Sequence, residues 1–183
     1  MTDQIEATNG DPDTANSDVS PKTEGVVRDV VAVLGAYVAL GVLCGLAWWL
    51  LVEPAMFTKL RGGGSMNELE LGKRFDGDAW YAVIAALTGL VSGAVISWWR
   101  SRDLLATTVL LLIGAGIAAT LMTVTGYLLG PGAPDAALAA AKVGEQVGVQ
   151  LEVTAWAAYL VWPISVLIGG LMVLWSQPRD RAS

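Results

Sequence analysis

Residues 79–99 read AWYAVIAALTGLVSGAVISWW, and Arg100-Ser101-Arg102-Asp103 follow at once. The stretch runs for 21 residues without a charge, with Trp80 near one end and Trp98-Trp99 at the other. About 20 apolar residues at 1.5 Å rise cover the ~30 Å hydrocarbon core of a bilayer, so this is read as a membrane span. A four-residue turn carrying two arginines reads as a cytoplasmic hairpin and sets the direction of every neighbouring span.

Working outward, three more apolar runs are at least as long. They lie at residues 30–52, 104–129 and 153–176, with 79–99 as the second of four. The expected fold is all-α: a four-transmembrane-helix bundle over residues 30–176, with both termini on the arginine side. Glu53-Pro54 ends the first span, because proline has no N–H for the helix ladder and disfavours helix at the residue before it. Trp48 and Trp49 near that end read as part of an interfacial aromatic belt. Trp162-Pro163 lies inside the fourth run and predicts a kink there.

Each span also has an internal pattern. Ala85, Gly89, Gly93 and Ser97 recur every four residues and form a small-residue ridge on which another helix backbone packs closely. Gly41 and Gly45 make a shorter version in the first span. Thr120, Thr123 and Thr125 of the third span, with Trp162 of the fourth, are the candidate lining of a ligand path, since hydroxyls in a membrane helix bond either to their own backbone or across to a neighbour.

The two longer connections, 53–78 and 130–152, fall on the side opposite the arginine turn. In the first, Glu68-Leu69-Glu70-Leu71 alternates like a short strand, and Asp78 is placed to cap the helix that starts at Ala79, with Asp76 adding charge at its positive end. The second is alanine-rich and reads as a helix beginning at Pro134 that covers the outer ends of the spans. Glu53, Asp76, Asp78 and Glu152 are the outer-face acidic candidates for any interfacial chemistry.

Composition limits the chemistry further. The chain of 183 residues is 54% hydrophobic and 15% charged, against roughly 25% charge in a soluble domain. Of its net charge of −6, five units belong to residues 1–29, where seven acids face only Lys22 and Arg28. That segment is polar, cannot bury enough apolar surface to offset its ordering entropy, and is expected to be a disordered cytoplasmic tail; 177–183 is a second, short one. The acidity argues against nucleic acid as a partner. There is no histidine, and Cys44 is the single cysteine, so neither the commonest general base nor a disulfide framework is present. No span contains Asp, Glu, Lys, Arg or His, the groups that mark ion and proton pathways. No catalytic residue, cofactor or metal ligand is assigned, and the reading is of a protein that is not an enzyme.

The two halves also resemble each other. Arg28-Asp29-Val30-Val31-Ala32 matches Arg102-Asp103-Leu104-Leu105-Ala106. At an offset of 76, Ala79, Trp80, Ala82, Gly93 and Trp99 align with Ala155, Trp156, Ala158, Gly169 and Trp175. This describes two parallel two-helix repeats about an axis along the membrane normal. Phe75-Asp76-Gly77-Asp78-Ala79-Trp80, Gly89, Gly93, Trp98-Trp99-Arg100, Leu129-Gly130-Pro131 and Trp162-Pro163 together resemble a family of small actinobacterial four-span membrane proteins of unknown function. The resemblance implies a multi-pass protein of a bacterial plasma membrane and adds no site. Partners are expected to be the lipid bilayer and other membrane proteins or further copies of this chain. The expected role is an accessory or scaffold subunit of a cell-envelope complex, with a small transporter or binding protein for an uncharged or lipid-like molecule as the alternative.

Overall fold

The computed structural model describes residues 21–100 and 103–176. Most of the acidic tail, Ser101 and Arg102 of the arginine turn, and the tail at 177–183 lie outside the described residues. Helix dominates, and four helical stretches are long and apolar enough to cross a membrane.

The first helix, α1, spans Pro21–Leu51 and starts well before Val30. Proline at the first helical position loses nothing, since its missing N–H would have no partner there. The second helix, α2, spans Glu68–Trp99. It extends about three turns beyond the apolar run, and this corrects two expectations. Glu68-Leu69-Glu70-Leu71 is the first turn of a helix and not a strand, because Asn67 caps it by accepting from Glu70 N at 2.8 Å and the two glutamates sit at its positive end. Asp78 therefore does not cap α2. Helix α3 spans Leu104–Leu129 with Asp103 as its N-cap, accepting from Ala106 N at 3.1 Å.

The connections hold a small sheet that the sequence reading did not contain. Strands β1 (Met56–Leu60) and β2 (Gly63–Ser65) form an antiparallel hairpin, and β3 (Gln146–Gly148) pairs antiparallel with the other edge of β1. Phe57 lies opposite Val147 and Lys59 opposite Gly64. The second connection is consequently not one long helix: α4 covers only Pro134–Ala140. Gly144, at φ +92°, reverses the chain and donates its N–H to Lys59 O at 2.8 Å, which starts the pairing of β3.

The fourth crossing starts with a 3₁₀ turn, Trp156–Leu160, and continues as α5, Val161–Ser176. Pro163 lies in the first turn of α5, where a missing N–H is tolerated, so a helix start stands where an interior kink was expected.

Helix α2 packs most extensively on α5, and α1 on α3; α3 and α5 touch less, and α1 and α2 meet only sparsely. The largest fully buried side chains are Trp48, Trp162, Tyr37, Tyr81, Met122 and Val166. Trp48 is thus a core residue and not a member of the interfacial belt; Trp49 beside it is the exposed one. Outward-facing leucine, valine and isoleucine cover all four long helices, including Leu43, Leu87, Leu105 and Leu171. Soluble monomers rarely expose contiguous apolar surface in this way, and a bilayer would cover it.

Candidate functional site

The ridge of α2 faces α5. Ala85, Gly89, Gly93 and Ser97 are all buried. A Cβ added to Gly93 would run into the carbonyl oxygen of Val166, and one added to Gly169 into that of Leu90. A Cβ on Gly89 would lie 3.0 Å from Ser165 Cβ, and one on Gly170 would lie 2.8 Å from Ser97 Oγ. The two backbones are in contact because no side chain stands between them.

Helices α1 and α3 combine backbone contact with ring packing. A Cβ on Gly41 would come within 2.8 Å of Ala118 O, and one on Gly45 within 2.6 Å of Thr125 Cβ. Gly114 is roofed by the Tyr37 ring and Gly126 by the Trp48 ring. Trp48 also donates from Nε1 to Gly77 O at 2.8 Å and meets Tyr81 edge-on at 5.4 Å between centroids, which ties the outer end of α1 to α2. Tyr81 in turn donates to Ala119 O of α3 at 3.3 Å. This aromatic hub was not identified from sequence, although Val33, Tyr37, Gly41, Cys44 and Trp48 recur at helical spacing and define the inward stripe of α1.

The candidate ligand-lining residues are not brought around one cavity. Thr120 Oγ1 donates to Gly116 O at 2.9 Å and Thr123 Oγ1 to Ala119 O at 3.0 Å, each within its own helix. Thr125 packs against Gly45. Trp162 is fully buried, edge-on to Tyr37 at 6.3 Å.

Of the four outer acidic residues, Glu53 and Glu152 share one small hollow with Lys73 and Arg74, and Asp76 and Asp78 do not line it. Glu53 pairs with Lys73 at 3.4 Å, and Glu152 with Arg74 at 2.8 Å. Asp78 reaches across from α2 and accepts from the N–H groups of Thr154 and Ala155, both at 3.0 Å, so it caps the start of the fourth crossing. Asp76 is exposed. The acid at the centre of the outer layer is instead Glu70, which accepts from Met56 N at 2.7 Å, pairs with Lys73 at 3.3 Å and so fastens β1 to α2. The spacing Asn67-x-x-Glu70 is a capping-box signal that the sequence reading passed over, but it does not reveal the partner at Met56, which is reached only through the hairpin.

Two openings between the helices have appreciable size. One is a lateral groove of about 500 Å³ between α1 and α2, lined by Ala36, Leu40, Leu87, Val91, Ser92 and Val95. The other, about 270 Å³, opens at the Arg100 end between α2, α3 and α5. Neither wall of the groove carries an ionisable group.

Fold and surface together define a class: a mostly helical, multi-pass membrane protein. No protein-family model matches the chain, and neither a curated protein nor a solved structure does.

Proposed function

We propose that this chain is an accessory or scaffold subunit of a membrane complex, without catalytic chemistry of its own, and that the lateral groove between α1 and α2 receives a helix of its partner or of a second copy. The observation that carries the reading is the unequal packing of the four helices. Two seams are closed by backbone contact, and that between α1 and α3 by aromatic rings as well, while α1 and α2 leave a groove of about 500 Å³ floored by small and apolar side chains. Without a hydrophobic driving force between helices in lipid, such a groove is filled by van der Waals packing against a complementary helix.

The finer fold reading belongs to the same proposal: a four-helix membrane bundle of two parallel two-helix repeats. Its support is reciprocal contact at an offset of 76. Gly93 abuts Val166 while Gly169 abuts Leu90, and Gly89 abuts its own counterpart Ser165. A two-fold axis along the membrane normal requires this pattern. A bacterial plasma membrane, cytoplasmic termini, kinship with small actinobacterial four-span proteins and a cell-envelope complex as the host complete the proposal. Arg28 and Arg100 at one end of the described helices support the orientation.

A second reading, a small transporter or binding protein for an uncharged or lipid-like molecule, uses the same groove. Its size falls within the roughly 300–1,000 Å³ of small-molecule sites. One experiment separates the two. Tagged protein is extracted gently from its host membrane and sized on a native gel, with mass spectrometry of the band, as wild type and as Val91→Trp, which fills the groove. A reproducible protein assembly lost in Val91→Trp, with monomer stability unchanged, supports the subunit reading. A monomer carrying a lipid or metabolite that Val91→Trp releases supports the second, and a bare monomer in both forms rejects both.

A further inference from the structure

We infer that the opening at the Arg100 end is a binding site for one membrane phospholipid, with its phosphate on Arg100 and one acyl chain in the slot between α3 and α5. The inference is independent of the groove between α1 and α2.

The slot is built from two matching stripes. Leu104, Thr107, Thr108 and Leu111 of α3 face Leu167, Gly170, Leu171 and Leu174 of α5, each set at i, i+3, i+4 and i+7, while Ser97 and Arg100 of α2 close the end. Thr107 Oγ1 donates to Arg100 O at 3.1 Å and Thr108 Oγ1 to Leu104 O at 2.8 Å. Both hydroxyls thus bond to backbone, and the methyl groups and leucines form an apolar wall. The Thr107 bond also fastens the end of α2 to the first turn of α3, which fixes the position from which Arg100 starts.

Among the described residues Arg100 is poorly matched. Its side chain is 18% exposed, and its one ion pair among the described residues, to the half-exposed Asp29, is 3.8 Å long. Nη1 is enclosed and has no hydrogen-bond partner among the described residues. The part of the side chain that stays exposed lines the opening, and an arginine there favours a phosphate oxyanion as acceptor of its N–H bonds. The depth of the site also agrees. Trp98, Trp99 and Trp175 are 77%, 68% and 79% exposed at the same end of the helices, and tryptophan exposed in this way marks the headgroup level of a bilayer. A charged group at headgroup depth above an apolar slot is complementary to a phospholipid, with phosphate above and hydrocarbon below. A free phosphate would use only the first of these and a diacylglycerol only the second.

The test is native mass spectrometry of the full chain in detergent, titrated with dioleoyl phosphatidylglycerol, with dioleoylglycerol, or with phosphatidylglycerol in competition with inorganic phosphate. One phosphatidylglycerol per chain is expected, with retention of dioleoylglycerol weaker by about tenfold, the scale of one charge-assisted contact. Inorganic phosphate should not displace the lipid. Arg100→Gln should lower phosphatidylglycerol retention by about tenfold. Asp29→Asn should raise it by removing the competing carboxylate, and Leu171→Trp should abolish it by filling the slot while Arg100 stays in place. Equal retention of the two lipids, or retention unchanged in Arg100→Gln, overturns the proposal. Displacement by inorganic phosphate with Leu171→Trp unaffected reassigns the site to a free anion and overturns the lipid. If Arg100→Gln does not fold, Asp29→Asn and Leu171→Trp decide the matter, and unchanged retention in both overturns it.

Discussion

The seam between α2 and α5 and the seam between α1 and α3 both depend on glycine, but only the second also uses glycine as a socket for aromatic rings. In the first, Gly93 and Gly169 lie against the main-chain carbonyls of Val166 and Leu90, so backbone meets backbone. In the second, Gly41 and Gly45 likewise lie against the carbonyls of Ala118 and Met122, and Gly114 and Gly126 are in addition sockets for the rings of Tyr37 and Trp48. A carbonyl in a helix cannot move without breaking its ladder, whereas a ring can be exchanged for a smaller side chain. The contacts at Gly93 and Gly169 are therefore set by the backbone, whereas those at Gly114 and Gly126 are set by a glycine and a ring that can change together.

The sharpest way to break this comparison is Gly93→Ala. Its Cβ has no space, and overpacking a close backbone contact should cost at least about 3 kcal/mol, read as loss of folded protein in a denaturant titration in detergent micelles. Val166→Ala should give no relief, because the obstacle is a carbonyl that alanine keeps. Gly114→Ala should cost about 1–3 kcal/mol alone. Combined with Tyr37→Leu it should be less damaging than the sum of the two single changes, by about 0.5–3 kcal/mol in the double-mutant cycle. Equal coupling in the two cycles would erase the distinction between the seams.

The outer layer should respond less. Asp78→Ala removes the cap on Thr154 and Ala155 and should cost about 1 kcal/mol, with proteolysis near residue 155 accelerated. Arg74→Gln breaks the half-exposed pair with Glu152 and should cost less than about 1 kcal/mol, an effect that salt diminishes further. A larger loss from Arg74→Gln than from Gly114→Ala would mean that the loops, and not the seams, hold the helices together.

How much of this was legible beforehand varies along the chain. The four long apolar runs were visible as such, because length and absence of charge are local properties. The small-residue ridge of α2 was visible from its four-residue period. Its partner was not, since Val166 and Leu90 carry no mark that distinguishes them from other apolar residues. The start of α2 was misplaced to Ala79 because Phe75-Asp76-Gly77-Asp78 has the composition of a loop; a helix continues through it because Asn67 caps it and because Glu70 and Arg74 find partners on other segments. The strands β1 and β3 are five and three residues long and about 90 positions apart, so neither has a signal until the other is beside it.

Sequence alone determined that the chain carries four apolar helices of membrane-spanning length, because a bilayer asks each helix to satisfy its own backbone and present apolar side chains, and both requirements are met residue by residue. Tertiary structure decided which helix lies against which, where Trp48 and Asp78 are used, and where openings remain. Those outcomes depend on the fit between surfaces far apart in the chain, and van der Waals fit is a property of the pair that neither sequence segment holds by itself.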